Sequence, residues 1–470
     1  MARDEVCAQF NNDQRAAFGT IVDKIERDPT NAHFFLHGWG GTGKTFLYKG
    51  LCHHFRSQRK IVLCVASSGI AALLLPGGRT AHSRFKIPLD VMPDSVCKIS
   101  KGTQLGKLIE KTSLIIWDEV PMQHRFCLEA VHTTLCDLRG SDSQTVPFGG
   151  IPCVFGGDFA QILPVVRHGS RAETVNAAFN SSRLWKRLEL LFLRENMRVR
   201  TADDDNRRFV EWQRSLSYKK EMDGIIELPD YISQTEDIQR LYNEIFPPAL
   251  LQRAASDFET FRSSAILACH NASVNEVNAI LLGQLPGSAR EYASVNIVDT
   301  DGMDQMQIPA DEVLQAVDLS SLLPGKLMLK VGAPVILIRN IAPDQGLCNG
   351  TRLAVTALRK YTIVGRILGG AFHGQERVIP RIKLHSNDEA LGFRFSRTQI
   401  PVRLCFAMTI NKAQGQSFEH VGLDLRTSVF SHGQFYVAVS RVTDVHNLLV
   451  LYRPVESAEY CIPRGFTYVT

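Results

Sequence analysis

No run of apolar residues in this 470-residue chain approaches the ~20 that a membrane-spanning helix needs, so no membrane partner is expected. The N-terminus, Met1-Ala2-Arg3-Asp4-Glu5, is charged, and the apolar stretch of a secretory signal is missing after it. An intracellular protein is the expectation. The eleven cysteines include no Cys-x-x-Cys pair. They are expected as reduced, mostly buried thiols, not as disulfides or a zinc site. Also missing are any repeat with a period of about 20–50 residues and any low-complexity tract. Neither sign of charge dominates: the net is +5, with 21% charged and 44% hydrophobic residues. That balance permits nucleic-acid binding without demanding it. The length exceeds a single core and predicts about three domains.

What is present is a complete phosphate-binding loop, Gly38-Trp39-Gly40-Gly41-Thr42-Gly43-Lys44-Thr45. A short apolar run, Phe34 to His37, precedes it as a buried parallel strand should. Apolar residues at helical spacing follow from Phe46 to Leu51. Strand, loop and helix together put backbone N–H groups and a helix N-terminus around a polyphosphate. Gly38, Gly40, Gly41 and Gly43 let the backbone approach the phosphates. Lys44 is expected on the β/γ-phosphates, and the Thr45 hydroxyl on Mg²⁺.

Two further apolar runs end in polar groups. Leu114-Ile115-Ile116-Trp117 delivers Asp118 and Glu119 to a sheet's carboxyl edge, where ligands of such sheets lie. Asp118 is expected to hold Mg²⁺ and Glu119 to polarise the attacking water. Ile151 to Phe155 delivers Gly156-Gly157-Asp158-Phe159-Ala160-Gln161, with Gln161 placed to sense a γ-phosphate. Before the loop, Asn12 or Asp13 can cap a helix in which Gln14 carries an amide fit for an adenine edge; a capped surface helix explains that stretch equally. Arg79-Thr80-Ala81-His82-Ser83-Arg84-Phe85 mixes hydroxyls, arginines and a ring, which suits a single-strand groove as well as an ordinary surface loop. Near the end, Ser431 can cap a helix whose shared face holds Gln434, Ala438 and Arg441.

Taken in order, these stretches resemble the PIF-type (petite integration frequency) DNA helicases of superfamily one, and most of all the branch carried by Helitron transposons. The resemblance runs from Phe10-Asn11-Asn12-Asp13-Gln14 to about Leu451. Its most specific matches are Thr80 to Phe85, Ile116 to Glu119, Gly157 to Val165, Gly346 to Arg352 and Phe430 to Val442. It implies an α/β fold of two RecA-like P-loop NTPase domains, parallel sheets flanked by helices, with a small wedge and an SH3-like β-barrel inserted. The expected boundaries are 1–188 for the first domain with a wedge within about 78–110, 189–324 and 401–470 for the second, and 325–400 for the barrel.

By motif, the resemblance assigns adenine to Gln14 and the γ-phosphate to Gln161, Arg198 and Arg441, the arginines reaching across from the second domain. Gln434 lines the same cleft. Thr80, His82 and Phe85, with Thr409, Asn411 and Lys412, fall in motifs that hold single-stranded DNA. The implied activity is ATP-driven 5′-to-3′ translocation on single-stranded DNA with unwinding of forked duplex, serving repair, recombination or replication, by a monomer located in the nucleus ahead of the mitochondrion. Many members have His at the position of Asn411 and Arg at that of Ala160. The chain has no paired-histidine relaxase motif. Two alternatives stay open on residues alone: a nucleic-acid-stimulated NTPase acting on RNA, and a non-catalytic single-strand binder.

Overall fold

Apolar runs too uniform to alternate become the centres of two parallel sheets. The computed structural model describes residues 3–166, 169–199, 203–218, 226–298, 310–317, 322–386 and 393–452. In the first sheet the strands His33–Gly38, Ile61–Ala66, Thr112–Asp118 and Cys153–Gly157 are almost wholly buried, as helices on both faces require. Six strands lie in the order Arg79–Thr80, Ile61–Ala66, Thr112–Asp118, Cys153–Gly157, His33–Gly38, Glu189–Leu193, all parallel. Successive side chains leave a strand on opposite faces. Thus Phe34 and Leu36 pack with Leu47, Leu51 and Phe55 of the helix Lys44–Ser57, while Phe35 joins Leu128, Val131 and Leu135 of the helix Arg125–Arg139.

The second sheet orders Ala407–Thr409, Ser264–Ala268, His420–Asp424, Leu448–Leu451 and Ser233–Thr235, again in parallel. Its strands come from both sides of a β-rich module. That module is antiparallel, with a five-stranded sheet ordered Glu376–Pro380, Thr362–Ile367, Arg352–Leu358, Pro334–Leu337, Val402–Leu404. Smaller sheets pair Arg290–Ala293 with Lys326–Leu329, and Val295–Val298 and Ile382–His385 with Phe395–Gln399. Among the described residues the five-stranded sheet's two edge strands do not pair with each other, so no closed barrel is drawn.

Two expected boundaries move. Glu189–Leu193 pairs with the phosphate-loop strand, so the first domain extends past 188. The β module begins at Arg290 and ends at Leu404, wider than 325–400. Its alternating strands at 290–298 are short and half exposed, which hid them beside the helix before them. The wedge stretch 78–110 is heterogeneous. Arg79–Thr80 belongs to the sheet and Ile109 to the core. Between the short helices Ala81–Phe85 and Gln104–Glu110 runs a segment that exposes Leu89, Met92 and Val96. Arg352 ties the β module to the second domain. Its guanidinium donates to the carbonyls of Phe261, Arg262 and Ser264 at 2.9–3.1 Å and lies over the Phe418 ring.

Candidate active site and nucleic-acid cavity

The phosphate loop leaves the strand His33–Gly38 and turns at Gly41 and Gly43, whose φ values are +92° and +81°. A side chain is excluded at both. A Cβ on Gly41 would lie 2.7 Å from the Arg198 Cβ, and one on Gly43 would lie 2.4 Å from the Gln14 amide nitrogen. Lys44 is buried and donates to the carbonyls of Gly38 and Trp39. The residue capping the helix Asn12–Arg27 is Asn11, not Asn12 or Asp13: its side chain accepts from Gln14 N at 2.9 Å, and Gln14 Oε1 accepts from Asn11 N at 3.2 Å. Gln14 Nε2 donates to the Thr42 carbonyl at 3.3 Å. The amide expected on adenine thus braces the loop itself.

Asp118 and Glu119 lie at the carboxyl end of their strand, both buried. Glu119 sits at φ +54°, the left-handed region, which a non-glycine residue adopts at a cost. Asp118 Oδ1 accepts from Glu119 N at 3.0 Å and from the Tyr48 hydroxyl at 3.4 Å. Burial, then the adjacent Glu119, pushes the Asp118 carboxyl up to about 7, with Lys44 opposing. Burial likewise raises Glu119, against the pull of Lys44 and Arg441. The donor set fits Mg²⁺. Among the described residues no cluster of three or more His, Cys, Asp or Glu could cage a metal. A hard cation held by one carboxylate and one hydroxyl, completed by phosphate oxygens and water, is the usual Mg²⁺ arrangement. Asp118 and Thr45 supply those two groups, Thr45 lying one turn before Tyr48 on the same helix.

Sequence reasoning assigned no role to two residues here, Asp158 and Tyr436. Asp158 is fully buried. Its Oδ2 accepts from Gly40 N at 3.1 Å and from the Tyr436 hydroxyl at 2.8 Å, and Gly40 N also reaches that hydroxyl at 3.1 Å. One phosphate-loop N–H is thereby shared between an acid of its own domain and a tyrosine from 396 residues away. The signal was an acid directly after Gly156-Gly157, at the same sheet edge as Asp118.

Two arginines meet the loop from the other side. The nearest atoms to a Cβ placed on Gly40 include Arg198 Nη1 and Arg441 Nη2, each at 3.5 Å. Arg198 donates to the Ser440 carbonyl. Arg441 is buried: Nε donates to Val437 O at 2.9 Å, Nη1 to Gln416 O at 3.0 Å and Nη2 to Ser440 Oγ at 2.7 Å. Burial and the neighbouring Arg441 pull Arg198 down to about 9. Burial lowers Arg441 too, with Glu119 opposing. The helix expected to carry Arg441 covers only Gln434–Val439, capped at Gly433 and not Ser431. Arg441 follows its end, and Ala438 points into the core. Gln434 turns to Asn411: its Nε2 donates to Asn411 Oδ1 at 3.0 Å. Gln161 accepts from Gln414 Nε2 at 3.0 Å.

A cavity of about 340 Å³ opens beyond these amides. The first domain lines it with Thr80 and His82, the second with Asn411 and Lys412, and the β module with Asn340 and Asn349. Four of the expected single-strand residues therefore converge. Thr409 borders an adjoining cavity with Lys412. Phe85 corrects the expectation: its ring is 1% exposed and stacks on Trp117 at 5.7 Å, inside the first domain's core. The ring sits at the end of a helix of five residues, Ala81–Phe85, that faces its apolar positions inward.

Residues 9–221 match the family model described as PIF1-like helicase, and residues 312–358 one described as the 2B domain of the DNA helicase Pif1. The ATP-dependent DNA helicase PIF1 of Danio rerio is 29% identical over 452 residues, covering 95% of this chain and 61% of that protein. The chain thus spans about three fifths of that relative's length. The crystal structure of Pif1 helicase from Candida albicans matches with a TM-score of 0.63 at 25% identity, over 94% of each chain. Pif1 helicase from Bacteroides in complex with ADP-AlF3 and single-stranded DNA matches with a TM-score of 0.65 at 24% identity, over 92% of this chain and 91% of that one.

Proposed function

The chain belongs to the PIF1-like helicase family, and on that footing we propose that it is an ATP-dependent DNA helicase, moving 5′-to-3′ on single-stranded DNA and opening forked duplex. The observation that carries this reading is one cleft: Lys44, Asp118 and Glu119 from the first domain face Arg198 and Arg441 from beyond it, next to a cavity walled by three parts of the chain.

In this reading the loop amides and Lys44 bind the triphosphate, Lys44 exchanging its loop carbonyls for β/γ-oxygens. Thr45 and Asp118 would hold Mg²⁺, which shields phosphate charge when bound. Asp118 would hold the cation as a carboxylate, and Lys44 already favours that form against burial. Glu119, set off the strand by its left-handed backbone, orients water on the γ-phosphate and accepts its proton. The two guanidinium groups stabilise charge on the transferring phosphoryl. Gln14 steadies the loop and reads adenine from the same position. Thr80, His82, Thr409, Asn411 and Lys412 hold the strand through hydroxyls, amides and charge. The nucleus is the first compartment for such a protein, in repair, recombination or replication. Asn411 supports a place near the Helitron-carried branch.

Hydrolysis measured with and without single-stranded DNA or RNA, followed by unwinding of forks with 5′ or 3′ tails, tests this. Stimulation by DNA and unwinding only with a 5′ tail are expected. Stimulation by RNA alone would replace the reading with an RNA-directed NTPase.

A further inference from the structure

The stretch Arg79 to Phe85 divides between two cavities. Thr80 and His82 line the cavity already described. Arg79 and Arg84 line a second, larger one of about 660 Å³, together with Lys49 of the phosphate-loop helix and Asp344 and Phe372 of the β module. The two are separated by a partition. One leaf is the helix Gly69–Leu74, whose N-terminal residues face the first cavity while Ala72 to Leu74 face the second. The other leaf is the β-module turn around Asn349-Gly350. The leaves interlock: a Cβ on Gly69 would lie 2.2 Å from the Asn349 carbonyl oxygen, and one on Gly350 would lie 2.3 Å from Ile70 Cγ1.

The second cavity is basic. Its lining carries three cations, Lys49, Arg79 and Arg84, against the single carboxylate of Asp344. Lys49 and Arg79 are exposed, and Arg84 Nε is buried with no partner among the described residues. Such a concentration favours a polyanion. Directly after Phe85 the chain runs into the segment that exposes Leu89, Met92 and Val96, apolar side chains of the kind that insert between bases. An opened duplex yields two backbones, and one partition with a polar cavity on one side and a basic cavity on the other separates two backbones.

We propose that the basic cavity is a second nucleic-acid site, which takes the phosphate backbone of the strand displaced at a fork while the tracking strand lies beyond the Gly69–Gly350 partition. The assignment of the tracking strand rests on the function proposed above; the second site is tested without turnover. The wild-type 470-residue chain and the variant Lys49→Ala/Arg79→Ala are titrated by fluorescence anisotropy with single-stranded DNA, a duplex with one 5′ tail, and a fork with both tails. Both substituted side chains are exposed, and circular dichroism checks the fold.

The wild type should bind the fork more tightly than the tailed duplex. With counterions released at about −0.7 in log K against log salt for each contact, three cations make the fork's slope steeper by about 2. Its advantage should therefore shrink about 20-fold between 50 and 200 mM salt. The variant should lose about 1.4 of that extra slope and bind single strand and tailed duplex as the wild type does. Equal affinity of the wild type for fork and tailed duplex would overturn the proposal. So would a variant whose single-strand affinity falls in step with the fork, since the cations would then belong to the tracking strand. Hydrolysis stimulated by single strand is measured in parallel. Its absence removes the function reading, whereas the fork comparison still decides the second site.

Discussion

Replacing Arg441 by lysine keeps the charge and removes the fork. In the structure the three guanidinium nitrogens serve three different acceptors, Val437 O, Gln416 O and Ser440 Oγ, at 2.7–3.0 Å. An ammonium at the end of a flexible stem cannot span them. At about 1.5–3 kcal/mol for each hydrogen bond from a charged donor, losing two costs locally about 3–6 kcal/mol. The catalytic loss is separate. An arginine that stabilises a transferring phosphoryl contributes about 10³–10⁵ in turnover, or about 4–7 kcal/mol. Arg441→Lys should therefore hold single-stranded DNA within a few-fold of wild type, lose at least about 10³ in stimulated kcat, and fail to unwind. The assays are fork unwinding and steady-state hydrolysis with saturating single strand, alongside a thermal midpoint that reports the local loss. Turnover within tenfold of wild type, with the fold intact, would refute the reasoning.

Glu119→Gln should keep nucleotide affinity, read by a fluorescent ATP analogue, and abolish hydrolysis; normal turnover would assign the water to another residue. Phe85→Ala should cost about 3–5 kcal/mol of stability in urea unfolding, as for a large aromatic removed from a core. Unchanged stability with weakened DNA binding would return Phe85 to the strand. His33 is buried and neutral, and burial above all holds it down to about 4 while its Nε2 donates to Thr30 O. The unfolded chain takes up that proton first. Stability is therefore full above about 6.5 and falls as pH drops through 6.5 to 4, by about 3 kcal/mol in all. His33→Phe should flatten that part of the pH dependence, and an unchanged pH slope would contradict the assignment.

The placement of the phosphate loop, Asp118 and Glu119 at one sheet edge was legible because its signals are local. Eight consecutive residues define the phosphate loop, and four apolar residues announce Asp118 and Glu119. The opposite side of the cleft was legible only by resemblance. Arg198, Asn411 and Lys412 sit in stretches whose composition says nothing about phosphates or strands. The period-based placement of Arg441 failed because its helix stops at Val439; the burial of Arg441 comes from three backbone and hydroxyl acceptors that no helical face describes. Phe85 failed for the opposite reason. A ring beside histidine and arginines reads as a stacking platform, and only Trp117 lying across from it shows that it belongs to the core. Asp158 was visible as an acid at the sheet edge, but its bond to Tyr436 was out of reach, since it joins residues 278 apart. The early start of the β module, at Arg290, was hidden by strands of only four residues.

The cleft and the cavity of about 340 Å³ share one short wall. Residues 411–416 touch both: Asn411 meets Gln434, Gln414 meets Gln161, and the Gln416 carbonyl receives Arg441, while Asn411, Lys412 and Gln414 also line the cavity. The helix inside this wall is four residues long, Ile410–Ala413, with Ile410 and Ala413 locked in the second domain's core. It has little freedom to absorb a displacement. Moving Arg441 toward a phosphate must therefore carry the cavity wall with it, and the buried Gln161–Gln414 bond is where the first domain feels that movement. If so, the two amides act as a unit. Gln161→Ala and Gln414→Ala should each lower the ratio of DNA-stimulated to basal hydrolysis, and the double variant should lose little more than either alone. The coupling expected from one buried hydrogen bond is about 1 kcal/mol, about fivefold in the ratio. Strictly additive losses would mean that the amides act separately, and that the wall is held by the Asn411–Gln434 contact instead.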